Sequence, residues 1–156
     1  MSTADGVILG TTQIFGTASR SQAFNVVLLA EGFTSPQQSD FNLACSAFVT
    51  ALTVTDPFGQ VAHALNVFRV NVASNQSGAD DPVAAGGTGA APATYFDARF
   101  GANGLRRLLV CDNTIALQVA LASRTIAADD DLFAQVRWRG AAARCLAGRG
   151  ELAGVR

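Results

Sequence analysis

The sequence predicts an open α/β domain in three layers, built on a βαβ unit with a parallel core. Three observations carry that expectation. The run Asn25 to Ala30 (NVVLLA) is apolar almost without interruption, as a strand buried on both faces must be. An amphipathic stretch follows from Pro36 to Leu52, and a β-branched and aromatic stretch, Leu65 to Val72 (LNVFRVNV), follows that. Strand, helix and strand at this spacing close as a right-handed crossover, which makes the two strands parallel.

Each element has its own local reason. Ahead of the first buried strand, Val7 to Leu9 and Gln13 to Phe15 are separated by Gly10 and threonines, which predicts short edge pairing. Ser35, Pro36 and Gln38 read as an N-cap, a proline at the first helical position and the far side of a capping box. Phe41, Cys45, Phe48 and Leu52 then form one apolar stripe facing the strand pair, and Asp56-Pro57 ends the helix. Ser74 to Ala93 runs without periodicity for about twenty residues, a length that in a compact domain points to function or disorder. Thr94 to Phe100 reads as a short strand or turn packing Tyr95, Phe96 and Phe100, and Leu105 to Val110 is apolar around two arginines. Asp112 is placed to cap a helix running to about Ala128. Leu132 to Trp138 has the composition of one more strand, whereas twelve of the seventeen residues from Gly140 onward are Ala, Gly or Arg. We therefore expect two parts, an ordered 1–128 and a divergent, poorly packed 129–156.

Composition narrows the function. At 156 residues with 49% hydrophobic and 15% charged side chains, the chain is of one-domain size and carries enough apolar residues for a core. Its net charge is −1, and every one of its eleven basic residues is arginine, which leaves no broad basic footprint for nucleic acid or an acidic membrane surface. No apolar run approaches the ~18 residues of a membrane span, and the first residues lack the charged and apolar regions of an export signal. Cys45, Cys111 and Cys145 lack C-x-x-C spacing, leaving buried thiols or a Cys45–Cys111 bridge. With His63 as its one histidine, the chain cannot assemble a multi-imidazole zinc site. His63 itself reads as a helix-end or pre-strand residue.

Glu31 stands at the carboxyl end of the buried strand, where open α/β sheets place their ligand crevices. It is a candidate cleft residue, or else a solvated turn acid. Ser77, Asp80 and Asp81 cluster oxygen ligands in the long loop, a set that suits a hard cation or, more plainly, a solvated Asp-Pro turn. No G-x-S-x-G elbow and no phosphate-binding glycine loop occurs. We accordingly assign no catalytic, cofactor-binding or metal-ligating residue.

The strings NVVLLAEGFTSPQQSDFNLACSAF, DPFGQVAHALNVFRVNVASNQSGADDP and TYFDARFGANGLRRLLVCDN, in that order, resemble the amino-terminal part of the IgA-specific zinc metalloendopeptidase family. The likeness runs from about Thr11 to Ala128 and rests on the order of its pieces. The resemblance implies a bacterial-type, secreted or cell-surface hydrolase acting on protein or peptide. In that family an H-E-x-x-H helix, downstream of the matched region, holds zinc and activates water. That motif is absent from this sequence, so the expected role is an inactive, truncated amino-terminal fragment that binds no cofactor itself. The departure begins near Asp129, and an Ala-, Gly- and Arg-rich tail is what out-of-frame translation of GC-rich DNA yields. The alternative is a non-catalytic binding module that uses the Ser74 to Ala93 loop.

Overall fold

The computed structural model describes residues 5–122, 132–138 and 141–142, the last two segments as backbone. Five strands form one mixed sheet: β1 (Gly6–Phe15), β2 (Phe24–Glu31), β3 (Leu65–Ser74), β4 (Leu132–Trp138) and β5 (Ala141–Ala142), in the order β1-β3-β2-β4-β5. Strand β2 lies parallel to β3 on one side and to β4 on the other, whereas β1 and β5 pair antiparallel at the edges. The partial α/β architecture and its parallel core are thus as the sequence predicts. Helix α1 (Gln38–Val54) makes the crossover from β2 to β3, and α2 (Asn113–Ala122) precedes β4.

The apolar run of β2 is what centres the sheet. Val27, Leu28, Leu29 and Ala30 are fully buried, as are Val67, Phe68, Val70 and Val72 of β3. Burying Leu28 and Leu29 alone is worth about 1.5–3 kcal/mol each. The parallel register pairs Leu28 with Arg69 and Leu29 with Val70, so alternate residues divide between the two faces. One face meets α1: the Asn71 amide donates to Gln38 Oε1 and Asn42 Oδ1, both at 2.9 Å, and Gln38 Nε2 donates to the Val72 carbonyl at 3.0 Å. The other face carries Val27, Leu29 and Glu31, whose carboxylate accepts the Phe96 and Ala98 amides, and α2 lies in contact with β2. The 94–98 segment is tied to the start of α2, because the Asp112 amide donates to the Phe96 carbonyl at 2.7 Å.

Several local expectations shift. β1 is one ten-residue strand rather than two short pieces, because the Gly10 interruption is absorbed in a bulge between Ile8 and Gly10. The cap of the first helical turn is Thr34 and not Ser35. Gln37 Oε1 accepts the Thr34 amide and hydroxyl, both at 3.1 Å, and the box closes one residue earlier than the proline suggests. Residues Ser35–Gln37 form a 3-10 turn that leads into α1. Phe41 and Cys45 are buried against the sheet, with Phe48 and Leu52 half-buried on the same core. Asp112 does cap α2, its Oδ1 accepting the Ile115 amide at 3.0 Å. The expected extension of that helix to Ala128 lies outside the described residues. Cys45 and Cys111 form no disulfide; Cys145 also lies outside the described residues.

A second polar arrangement fixes the amino-terminal ends of the parallel strands. Asn66 Nδ2 donates to Asn25 Oδ1 at 3.1 Å and to the Ala18 carbonyl at 3.0 Å, while Asn25 Nδ2 donates to the Arg20 and Ala23 carbonyls at 2.8 and 3.0 Å. Both asparagines are buried. Satisfied in this way, they hold the 16–23 turn over the bottom of the sheet instead of destabilising it.

Candidate functional site

The carboxyl ends of β2 and β3 carry a cluster of loops, 31–34 and 74–112, and Glu31 is their common anchor. Its side chain is fully buried, with Oε2 accepting the Phe96 amide at 3.0 Å and Oε1 the Ala98 amide at 2.9 Å. Burial pushes the Glu31 carboxyl above its ordinary range, against the lowering effect of the Thr94 hydroxyl and of these two amides, with nearby Asp97 raising it further. Glu31 is therefore not a solvated turn acid. Between them the two oxygens hold the ends of a tight turn in which Asp97 adopts a left-handed conformation (φ 49°).

The aperiodic stretch after β3 is pinned at several points. The Ser74 amide donates to the Phe33 carbonyl at 2.9 Å, and Ser74 Oγ accepts the Tyr95 amide at 3.2 Å. Asp80 and Asp81, adjacent in sequence, serve two separate arrangements. Asp80 is bridged through its backbone to the 98–100 segment, its amide donating to the Ala98 carbonyl at 2.7 Å. Its carboxyl is raised by burial and by Asp97, and Arg99 opposes the shift. Asp81 Oδ2 accepts the amide and hydroxyl of Thr88 at 2.8 and 2.9 Å, and Oδ1 pairs with Arg106 at 2.6 Å. Arg106 also lies over the Phe100 ring, 5.2 Å from its centroid. The Thr88 amide holds the Asp81 carboxyl below its ordinary range. Ser77 is exposed at the surface of the loop. Beside this clamp lies an open depression of about 490 Å³ lined by Pro82, Ala85, Arg99, Phe100, Gly101 and Asn103.

The four sequence candidates thus share one end of the sheet but do not converge on a point. Thr94, Asp97, Arg99 and Arg106 belong to the same cluster, and sequence reasoning passed over them. All four lie in the string TYFDARFGANGLRRLLVCDN, but nothing in that string foretells which partners they take.

These residues do not fit a zinc ion. Among the described residues no group of three His, Cys, Asp or Glu side chains is placed to hold a metal. His63 sits, exposed, in the 3-10 turn before β3, at the opposite end of the strands from Glu31. Leu65 pairs with Phe24, so seven strand residues, about 23 Å at the usual rise, separate those ends. The Glu31 oxygens are already taken by amides.

Sheet order and loop placement define the class: part of an open α/β domain whose long loops gather at the carboxyl end of its parallel strands. From β2 the chain moves to β3 on one side and later to β4 on the other, which makes the β2–β4 gap a topological switch point. A family model described as IgA peptidase M64 matches residues 12–133, and the chain belongs to that family. No match to a curated protein was found.

Proposed function

We propose that this chain supplies the amino-terminal scaffold of an IgA-peptidase-like zinc metalloendopeptidase domain and is inactive by itself. The observation that carries the reading is the family match over residues 12–133, which embraces β2, α1, β3, the clamped loops and α2. In the complete domain, a zinc ion on an H-E-x-x-H helix supplies the polarised water for peptide-bond hydrolysis. The 156 residues here contain one histidine, and hydrolytic zinc takes three protein ligands around an open position. The part played by this chain is positional. Glu31 fixes the 94–98 turn at the end of β2, and the Asp81–Arg106 pair ties the long loop to the segment before α2.

The test is to incubate purified chain with immunoglobulin A and with an unstructured protein substrate, with and without zinc. No cleavage is expected in any arm. Cleavage that a chelator abolishes overturns the reading, because it requires a metal centre that His63 and its surroundings do not provide.

A further inference from the structure

We infer that the depression between the 82–86 and 99–104 segments is a binding site for an acidic peptide segment, whose side-chain carboxylate is taken by Arg99 while its neighbours rest on Phe100 and the small residues around it. This goes beyond the scaffold role and does not depend on it, since binding needs neither zinc nor turnover.

The walls are two 3-10 turns, Val83–Ala85 and Ala102–Gly104. They come so close that a methyl group on Gly101, which has φ +81°, would run into the Ala85 side chain. Phe100 is held in place from beneath, because it packs on Ala79, Ala98 and Leu109, an apolar cluster separate from the main core. The main chain of Arg99 is fixed on two sides. Its amide donates to the Val110 carbonyl at 2.8 Å and its carbonyl accepts the Val110 amide at 3.0 Å, while the next amide, that of Phe100, donates to the Asp80 carbonyl at 2.9 Å. From this anchored root the Arg99 side chain is exposed on the depression.

Charge selects the occupant. Among the described residues the one ion pair joins Asp81 to Arg106, so Arg106 is already answered and Arg99 is not. Asp80 feels the charge of Arg99, which opposes the rise of its carboxyl, without pairing with it. A single guanidinium suits a singly charged carboxylate, to which it presents a planar fork of donors. The surroundings suit the rest of a peptide. Pro82, Ala85, Phe100 and Gly101 line the depression with apolar and small groups, and Val83 and Leu105, 70% and 54% exposed, lie in or directly after the two turns as uncovered apolar side chains. Exposed apolar side chains gathered around a polar anchor mark a contact surface, and at about 490 Å³ the depression is within the ordinary size of ligand sites. Because it is open, it fits a segment lying across it.

The experiment is isothermal titration calorimetry of the full chain with the peptide Gly-Ala-Leu-Glu-Val-Ala-Gly, acetylated and amidated so that glutamate is its one charge. The parent should bind it with a dissociation constant below about 1 mM, and should bind the same peptide with glutamine in that place about five- to tenfold more weakly. Arg99→Gln should bind the two peptides alike, with an unchanged circular dichroism spectrum because the side chain it replaces is exposed. Arg107→Gln removes the same charge from an exposed position that does not line the depression, and should keep the preference for glutamate. Ala84→Trp, which puts bulk into the depression from an exposed position on its wall, should weaken both peptides. A parent that binds neither peptide or binds both equally, an Arg99→Gln that keeps the preference, an Arg107→Gln that loses it, or an Ala84→Trp that binds as the parent does overturns the proposal.

Discussion

Replacing Glu31 removes a side chain that joins the end of β2 to the loops above it. In Glu31→Ala the Phe96 and Ala98 amides lose their acceptor inside a closed environment. A hydrogen bond to a charged group is worth about 1.5–3 kcal/mol, so the gross loss is about 3–6 kcal/mol. Relief of the burial penalty on the carboxylate offsets part of this, and a net destabilisation of about 2–4 kcal/mol is expected. Glu31→Gln keeps one acceptor oxygen but turns an NH2 toward the second amide, and should cost about 1–3 kcal/mol. Urea unfolding at neutral pH, monitored by circular dichroism, measures both as a fall in midpoint at constant slope. The pH dependence adds a second check. Because the folded carboxyl is raised, the native state binds more protons than the unfolded chain in the window between the ordinary glutamate value and the raised one. The proton-linked part of the Glu31 contribution is fully present below the ordinary value and is lost as pH rises through the folded one, whereas the hydrogen bonds to the two amides remain. The parent should therefore lose stability across that window more steeply than Glu31→Gln. A Glu31→Ala variant within about 0.5 kcal/mol of the parent would refute the argument, since surface substitutions typically fall in that range.

Other consequences follow from the same contacts. Phe41→Ala, at a fully buried position, should cost about 3–5 kcal/mol by chemical denaturation, and the half-buried Phe48→Ala distinctly less; equal losses would mean that the stripe packs differently. Asp81→Asn weakens the pairing with Arg106 and should speed limited proteolysis within residues 82–90 at neutral pH. Because the Asp81 carboxyl is lowered, its contribution is present above the ordinary aspartate value and is lost as pH falls through the folded one, so parent and variant cleavage rates should converge only in strong acid. Gly16 has φ +83°, and a methyl group there would run into the Leu65 carbonyl, so Gly16→Ala should lower the thermal midpoint by an amount equivalent to about 1–3 kcal/mol.

How far the sequence discloses this molecule depends on the range of each interaction. β2, α1 and β3 were legible because an apolar run, an apolar stripe and an alternating pattern are local signals of burial. Asp112 was legible as a cap for the same reason: its bond reaches three residues along the chain. The joining of β1 into one strand was not, since a bulge that accommodates Gly10 depends on the partner strand. At the candidate site, Glu31 could be placed at the end of its strand, but its partners are the main-chain amides of residues sixty-five and sixty-seven positions away. An amide has no sequence signature. Likewise nothing in Asp80-Asp81 foretells that one side chain answers to Asp97 and Arg99 and the other to Thr88 and Arg106.

The strand order bears on how the chain comes off the ribosome. β2 is the most apolar element, yet it acquires its second neighbour, β4, only about a hundred residues after it has been synthesised, through a seven-residue register from Asn25–Leu132 to Glu31–Trp138. Until then a nascent chain holding β1, β2, α1 and β3 presents one side of its central strand as an unprotected template. A stalled or nicked product ending after α2 leaves that template permanently bare, and strand addition by another such product is its natural fate. Inclusion bodies from shortened versions would then reflect a missing neighbour of β2, even where every residue of the apolar core is present.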